Sequence, residues 1–210
     1  MAQDKATRMK YIKQSKCLNT KPRSSKPGEL VYSDICGPMS VESYDGYRYY
    51  QVFVDDYTRV VVTSLLKSKS DAFSNIKTFV KYMSQRGTPI ISLHTDQGTE
   101  FVNNKVEDFL RLNGIQHQLT GRSASLQNHV AERMNRTLTE MARTMLVHAG
   151  LPKIWWGHAI KYATMVRNRC TTSTFDNKEI PYEKFTGKTV DYKFLKTFGC
   201  AAYVYVPLVL

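Results

Sequence analysis

Residues 29–36 read ELVYSDIC and are followed by Gly37 and Pro38. β-Branched and aromatic side chains dominate the run, which predicts a strand stopped by the Gly-Pro pair. Asp34 stands inside that strand among apolar neighbours. A carboxylate near the middle of a sheet is costly unless it is paired or bound to metal, so a fold that keeps Asp34 must supply it with partners.

Working outward, two more strand-like runs follow, Tyr47–Asp55 (YRYYQVFVD) and Val60–Leu66 (VVVTSLL). The short link Asp56-Tyr57-Thr58-Arg59 suits an antiparallel hairpin, so the first three strands form a meander. Turn chemistry accounts for the adjacent Asp55 and Asp56. The period then becomes helical. Ala72, Ile76, Phe79, Val80 and Met83 line one face, with Ser70 as the expected N-cap and Gly87 just past the end. Pro89 opens a short apolar strand, PIISLHT, that runs into Asp96. A second helix turns Val106, Phe109 and Leu110 inward and stops at Gly114, and a strand over Ile115–Thr120 follows.

After the polar loop GRSASLQN (121–128) a long helix is expected. Its apolar stripe runs through Val130, Met134, Leu138, Met141, Met145 and Ala149, and Gly150 closes it. Pro152 opens another helix, with Trp155, Ala159, Ala163 and Val166 on one side. Beyond Cys170 the chain reads as loop until KFLKTFGCAAYVYVP, an extended segment or hairpin. The order β-β-β-α-β-α-β-α matches the ribonuclease H-like fold: α/β, a five-stranded mixed sheet flanked by helices, plus a C-terminal helix and extended tail.

Three acids stand out against this frame. Asp34 lies in the first strand, Asp96 where the fourth strand ends, and Glu132 in the first turn of the long helix. In a mixed sheet the first and fourth strands can be neighbours, and a helix over that edge can add a third carboxylate. Carboxylates without a His or Cys cluster make a hard-cation site, suited to Mg²⁺ or Mn²⁺. Two such ions can clamp the attacking and leaving oxygens of a phosphodiester. Each acid alone also has a plain reading: a paired strand residue, a turn aspartate, and a helix N-terminal acid favoured by the macrodipole. Glu100 is close enough in sequence to join the site but reads as structural.

Composition agrees with a polyanion partner. The chain carries 30 Lys and Arg against 18 Asp and Glu, a net charge of +12. That balance favours nucleic acid over a membrane surface, with no small-molecule cofactor implied. Arg122, Arg133, Arg136 and Arg143 are the candidates for phosphate contact, with Gln127 and Asn128 in the loop before the long helix. Cys17, Cys36, Cys170 and Cys200 lie far apart, which speaks against a disulfide framework or a self-contained zinc knuckle. No stretch approaches the roughly 20 apolar residues that span a bilayer, and the N-terminus lacks a secretory signal, so an intracellular protein is expected.

Four segments resemble the integrase core of copia-type long-terminal-repeat retrotransposons. SDICGPM (33–39) is similar to the first-aspartate motif, VFVDDYTR (52–59) to a strand-turn signature, HTDQGTEF (94–101) to the second-aspartate motif, and QNHVAERMNRTL (127–138) to the glutamate helix. Thirty-five residues stand between Asp96 and Glu132, as that family's triad requires. The resemblance implies an enzyme that binds double-stranded DNA, both element ends and target, as a homo-oligomer. It would trim 3′ ends and join them to target DNA in the nucleus, reached from the cytoplasm. Asp34, Asp96 and Glu132 would hold two Mg²⁺ or Mn²⁺ ions. The expected organisation is a flexible basic arm over 1–27 (the remnant of an upstream zinc-domain linker), a catalytic core over 28–150, and a helical extension with a truncated C-terminal segment over 151–210. A catalytically silent DNA-binding or multimerising remnant is the alternative reading, and a ribonuclease H-like nuclease a weaker one.

Overall fold

The computed structural model describes residues 23–120, 129–172, 174–175 and 178–203. Among these residues there are five strands, β1 (Leu30–Cys36), β2 (Tyr49–Asp55), β3 (Val61–Leu66), β4 (Ser92–Thr95) and β5 (Gln116–Leu119). Five α-helices accompany them, α1 (Ala72–Gln85), α2 (Asn104–Leu112), α3 (His129–His148), α4 (Trp156–Arg169) and α5 (Pro181–Thr186). The strands form one sheet in the order β3-β2-β1-β4-β5. β1, β2 and β3 pair antiparallel, while β4 pairs parallel with both β1 and β5. This is the mixed sheet expected from the sequence, with the first and fourth strands side by side.

Both faces of the sheet are covered, which is why β2 is buried almost throughout. Tyr50, Val52 and Val54 face a core built with Ala131, Leu138, Trp156 and Ile160 from α3 and α4. Val31, Phe53 and Leu93 face the opposite core with Ile76, Met83, Val106 and Leu110 from α1 and α2. Burying each such side chain contributes about 1.5–3 kcal/mol. Gly37 ends β1 with φ +131, and a Cβ there would sit 2.7 Å from the Tyr49 ring, so only glycine fits.

Several local expectations shift. The buried stripe of α3 is Ala131, Met134, Asn135, Leu138, Ala142 and Leu146, whereas Met141 and Met145 are only partly buried. The helix is covered on two sides, by the sheet and by α4, so its buried face is wider and rotated from the single stripe. Trp156, not Trp155, enters the core, and Trp155 stacks on Tyr44 instead. Asp71 rather than Ser70 is the N-cap of α1, behind a short 3-10 turn. Helix α5 replaces part of the loop expected beyond Cys170; Pro181 at its first turn and Gly187 in the left-handed region mark its ends.

The end of the expected basic arm is anchored. Ser24 N donates to Asp56 Oδ2 at 2.9 Å and Gly28 N to Asp55 Oδ1 at 2.7 Å. The Arg23 guanidinium donates to the Asp56 and Tyr57 carbonyls and lies over the Phe175 ring. Residues 23–27 therefore belong to the folded body, pinned to the β2–β3 turn; residues 1–22 lie outside the described residues. Asp55 also accepts from Thr58 N and Oγ1, and Asp56 pairs with Arg59 at 3.0 Å, the turn chemistry anticipated for this acidic pair.

Candidate active site

Strand alternation decides where the aspartates point. Tyr32 and His94 are register partners across β1 and β4, and their rings meet at 5.4 Å on the α3 side of the sheet. Two residues on come Asp34, within β1 and by alternation on that same face, and Asp96, the first residue past β4, whose charge reaches Asp34. Helix α3 packs over that face and brings Glu132 and, one turn later, Asn135.

Asp34 is well held. Oδ1 accepts from Ile35 N at 2.9 Å and Oδ2 from Asn135 Nδ2 at 2.8 Å. Burial pushes the carboxyl up to about 6, against the pull of those two hydrogen bonds, and the negative charges of Asp96 and Glu132 push it the same way. Both of the other acids thus stand within electrostatic reach of Asp34. Asp96 accepts from Gly98 N at 3.1 Å through Oδ1, which sets the turn after β4. Glu132 is the open member: its side chain is 54% exposed and its carboxylate lies 3.2 Å from His129 Nδ1.

The three acids are neighbours without forming a closed ligand cage; among the described residues no three His, Cys, Asp or Glu side chains converge on one metal position. Like charges without a counter-ion keep apart, and Glu132 leans toward His129 instead. The surroundings nevertheless fit a hard, hydrated cation. The donors are carboxylate oxygens, and beside Asp34 the Oδ1 of buried Asn135 is an acceptor with no protein partner. An ion-bound water is the kind of donor such an orphan needs.

Asn135 is the residue that sequence reasoning missed. It sits in the buried stripe of α3, where a polar side chain is out of place without a partner, and that misfit was the available signal. Its carbonyl accepts from Tyr50 OH at 3.1 Å, and Tyr50 OH also meets Thr139 Oγ1 at 2.9 Å, so the helix is tied to β2 at this level. Glu100, the rival fourth acid, pairs with Lys69 at 2.9 Å and is 10% exposed. That fits the structural role. The Lys69 ammonium is stabilised by this bond and by the charge of Asp96.

Of the residues expected to contact DNA, Arg122, Gln127 and Asn128 lie outside the described residues. Arg133 and Arg136 are exposed on α3, and neither has an acidic partner at ion-pair distance among the described residues. Arg143, further along, borders an apolar cavity of about 550 Å³ lined also by Val41, Leu146 and Trp156. Met134 is core, 8% exposed. His129 lies in α3, whose right-handed backbone any residue adopts. No described helix is long and apolar enough to cross a membrane.

The integrase core domain model matches residues 24–124, which contain Asp34 and Asp96. The chain belongs to the integrase core family. It is 39% identical over 180 residues to the retrovirus-related Pol polyprotein from transposon TNT 1-94 of Nicotiana tabacum, a match covering 85% of this chain and 14% of that protein. It is 38% identical over 188 residues to the corresponding polyprotein from transposon RE2 of Arabidopsis thaliana, covering 88% of this chain and 12% of that one. These are copia-type elements, and the chain spans only about a seventh of the relatives it matches. Among solved structures, the HTLV-2 integrase catalytic core domain in complex with magnesium (trimeric form) aligns with a TM-score of 0.58 at 21% identity, over 78% of this chain and 99% of that one. The simian T-cell lymphotropic virus intasome, in complex with PP2A regulatory subunit B56 gamma, gives 0.63 at 17% identity, over 89% of this chain and 62% of that one. The fold of this integrase core is accordingly ribonuclease H-like.

Proposed function

We propose that this chain is the catalytic core of a retroelement integrase, which trims the 3′ ends of element DNA and joins them to target DNA. The observation that carries the reading is the half-buried Asp34 carboxylate, held by Ile35 N and by Asn135 of α3 and within electrostatic reach of Asp96 and Glu132. Asp34, Asp96 and Glu132 are the catalytic carboxylates and hold two Mg²⁺ or Mn²⁺ ions. Those ions, when bound, supply positive charge to the attacking and leaving oxygens of the phosphodiester. Asp34 offers oxygens whose direction is set by Ile35 and Asn135. Asp96 is aimed by the turn at Gly98. Glu132 closes on the site from α3.

Double-stranded DNA is the substrate in both roles, and the working form is a homo-oligomer. Arg122, Gln127, Asn128, Arg133, Arg136 and Arg143 grip its backbone. Replacing one phosphate-binding arginine by alanine should flatten the log–log salt dependence of binding by about 0.9. Action on chromosomal DNA places the protein in the nucleus. The core spans 28–150, and 151–210 forms the extension, of which α4 is an integral layer.

The test is strand transfer in Mn²⁺, comparing the unaltered protein with Asp96→Asn. Product from the unaltered protein alone supports the reading. No product from either, with DNA binding retained, overturns it in favour of a silent DNA-binding core.

A further inference from the structure

We propose that Thr95, His117 and Glu107 form a polar strut that positions Asp96 from the opposite side of the sheet. The inference rests on the integrase reading above and adds three positioning residues to it.

By strand alternation Thr95 points away from Asp34 and Asp96, toward the α1 and α2 side. It is fully buried. Its hydroxyl lies 2.9 Å from the Asp96 carbonyl, to which it can donate, and 2.9 Å from His117 Nε2, with the donor of that second contact set by the ring tautomer. His117 lies on β5, where Leu93↔His117 and Thr95↔Leu119 are register pairs, so both side chains share this face. Across the ring, Nδ1 stands 2.6 Å from Glu107 Oε1 on α2, and the His117 side chain is only 6% exposed. The two ring nitrogens thus link the Thr95 hydroxyl to the Glu107 carboxylate across the imidazole.

Packing alone does not explain this chain of groups. Valine would fill the Thr95 site as well and spare the cost of burying a hydroxyl. What only the hydroxyl can do is hold the Asp96 peptide, which lies past the last residue of β4 and outside its ladder. The Thr95 carbonyl is fixed as well, by Thr120 N at 3.1 Å and Thr120 Oγ1 at 3.2 Å. The strut therefore sets the Asp96 backbone, and the Asx turn to Gly98 carries that setting to the carboxylate. Outer groups that orient ligands in this way typically govern about 10–100-fold in metal affinity or activity.

The experiment measures Mn²⁺ affinity by calorimetry, strand-transfer rate, and thermal stability in chelator for Thr95→Val, Thr95→Ser and Glu107→Gln. Thr95→Val should weaken Mn²⁺ binding by about tenfold or more, with Thr95→Ser restoring it to within about twofold because the hydroxyl returns. Glu107→Gln, at a half-exposed position that folding tolerates, should shift affinity the same way by less. Wild-type affinity and rate in both Thr95→Val and Glu107→Gln would overturn the strut while leaving the integrase reading intact. If Thr95→Val does not fold, wild-type affinity in Glu107→Gln alone overturns it. An unaltered protein that neither binds Mn²⁺ nor transfers strands would overturn both.

Discussion

The strand half and the helix half of the candidate site are built differently. Asp34 is half-buried, accepts from two donors and sits opposite Val52 in the middle of a paired ladder. Glu132 stands more than half exposed in the first turn of α3, with a single contact to a histidine three residues before it. The first carboxylate is in place before any cation arrives, at an electrostatic cost. The second stays solvated and bears no such cost. The contrast teaches that this fold fixes one carboxylate on the sheet and presents another to solvent on the helix.

The largest effect removes the distinction. Asp34→Asn and Glu132→Gln should each lower the strand-transfer rate in Mn²⁺ by about a thousandfold, since each takes away a group that supports transition-state charge. A helix variant that kept a tenth of the rate would show that Glu132 is outside the working site.

Next comes the polar tie between the halves. Asn135→Ala deletes a donor to a half-buried carboxylate, an interaction worth about 1.5–3 kcal/mol, so the denaturant midpoint at pH 7 should fall accordingly. An unchanged midpoint would mean that Asp34 finds another donor.

The smallest effects sharpen the comparison most. Because the folded Asp34 carboxyl is raised to about 6 from 3.8, its contribution favours folding below pH 4 and is lost as pH rises through 6. In chelator, Asp34→Asn should therefore match the unaltered protein near pH 4 and exceed it by about 1–2 kcal/mol at pH 7. The amide can still accept from Ile35 N, and Asn135 can turn its unpartnered Oδ1 toward the new donor. Glu132→Gln should stay within about 0.5 kcal/mol at either pH, as exposed substitutions do. Equal pH behaviour of the two variants would erase the contrast.

Much of this was legible in the chain. The switch from alternating to helical period marked out the order of the eight core elements, and Asp34, Asp96 and Glu132 were distinguished by carboxylates at strand and helix positions where each needs a reason. What stayed hidden depends on pairing across distance. Asn135 falls outside the stripe read from the sequence and joins the buried face only because the sheet and α4 both cover α3. His117 and Glu107 belong to different elements, and only the β4–β5 register shows that Thr95 connects them to Asp96. Met141 and Met145 fitted a one-sided helix, but α4 covers a second side and rotates the buried face. Residues 23–27 read as arm because their anchors, the Ser24 N–H and the Arg23 guanidinium, find partners more than 30 residues away, which composition does not reveal.

The clamp on Asp55 and Asp56 has a practical consequence. Asp55 is the register partner of Val31, and Asp34 lies three residues further along β1, about 10 Å away. Residues 24–28 are thus fixed to the body through this turn, three strand residues from Asp34. A probe attached at the exposed Ser25 would therefore report from a fixed point on the folded body, about three strand residues from Asp34, rather than from a free tail.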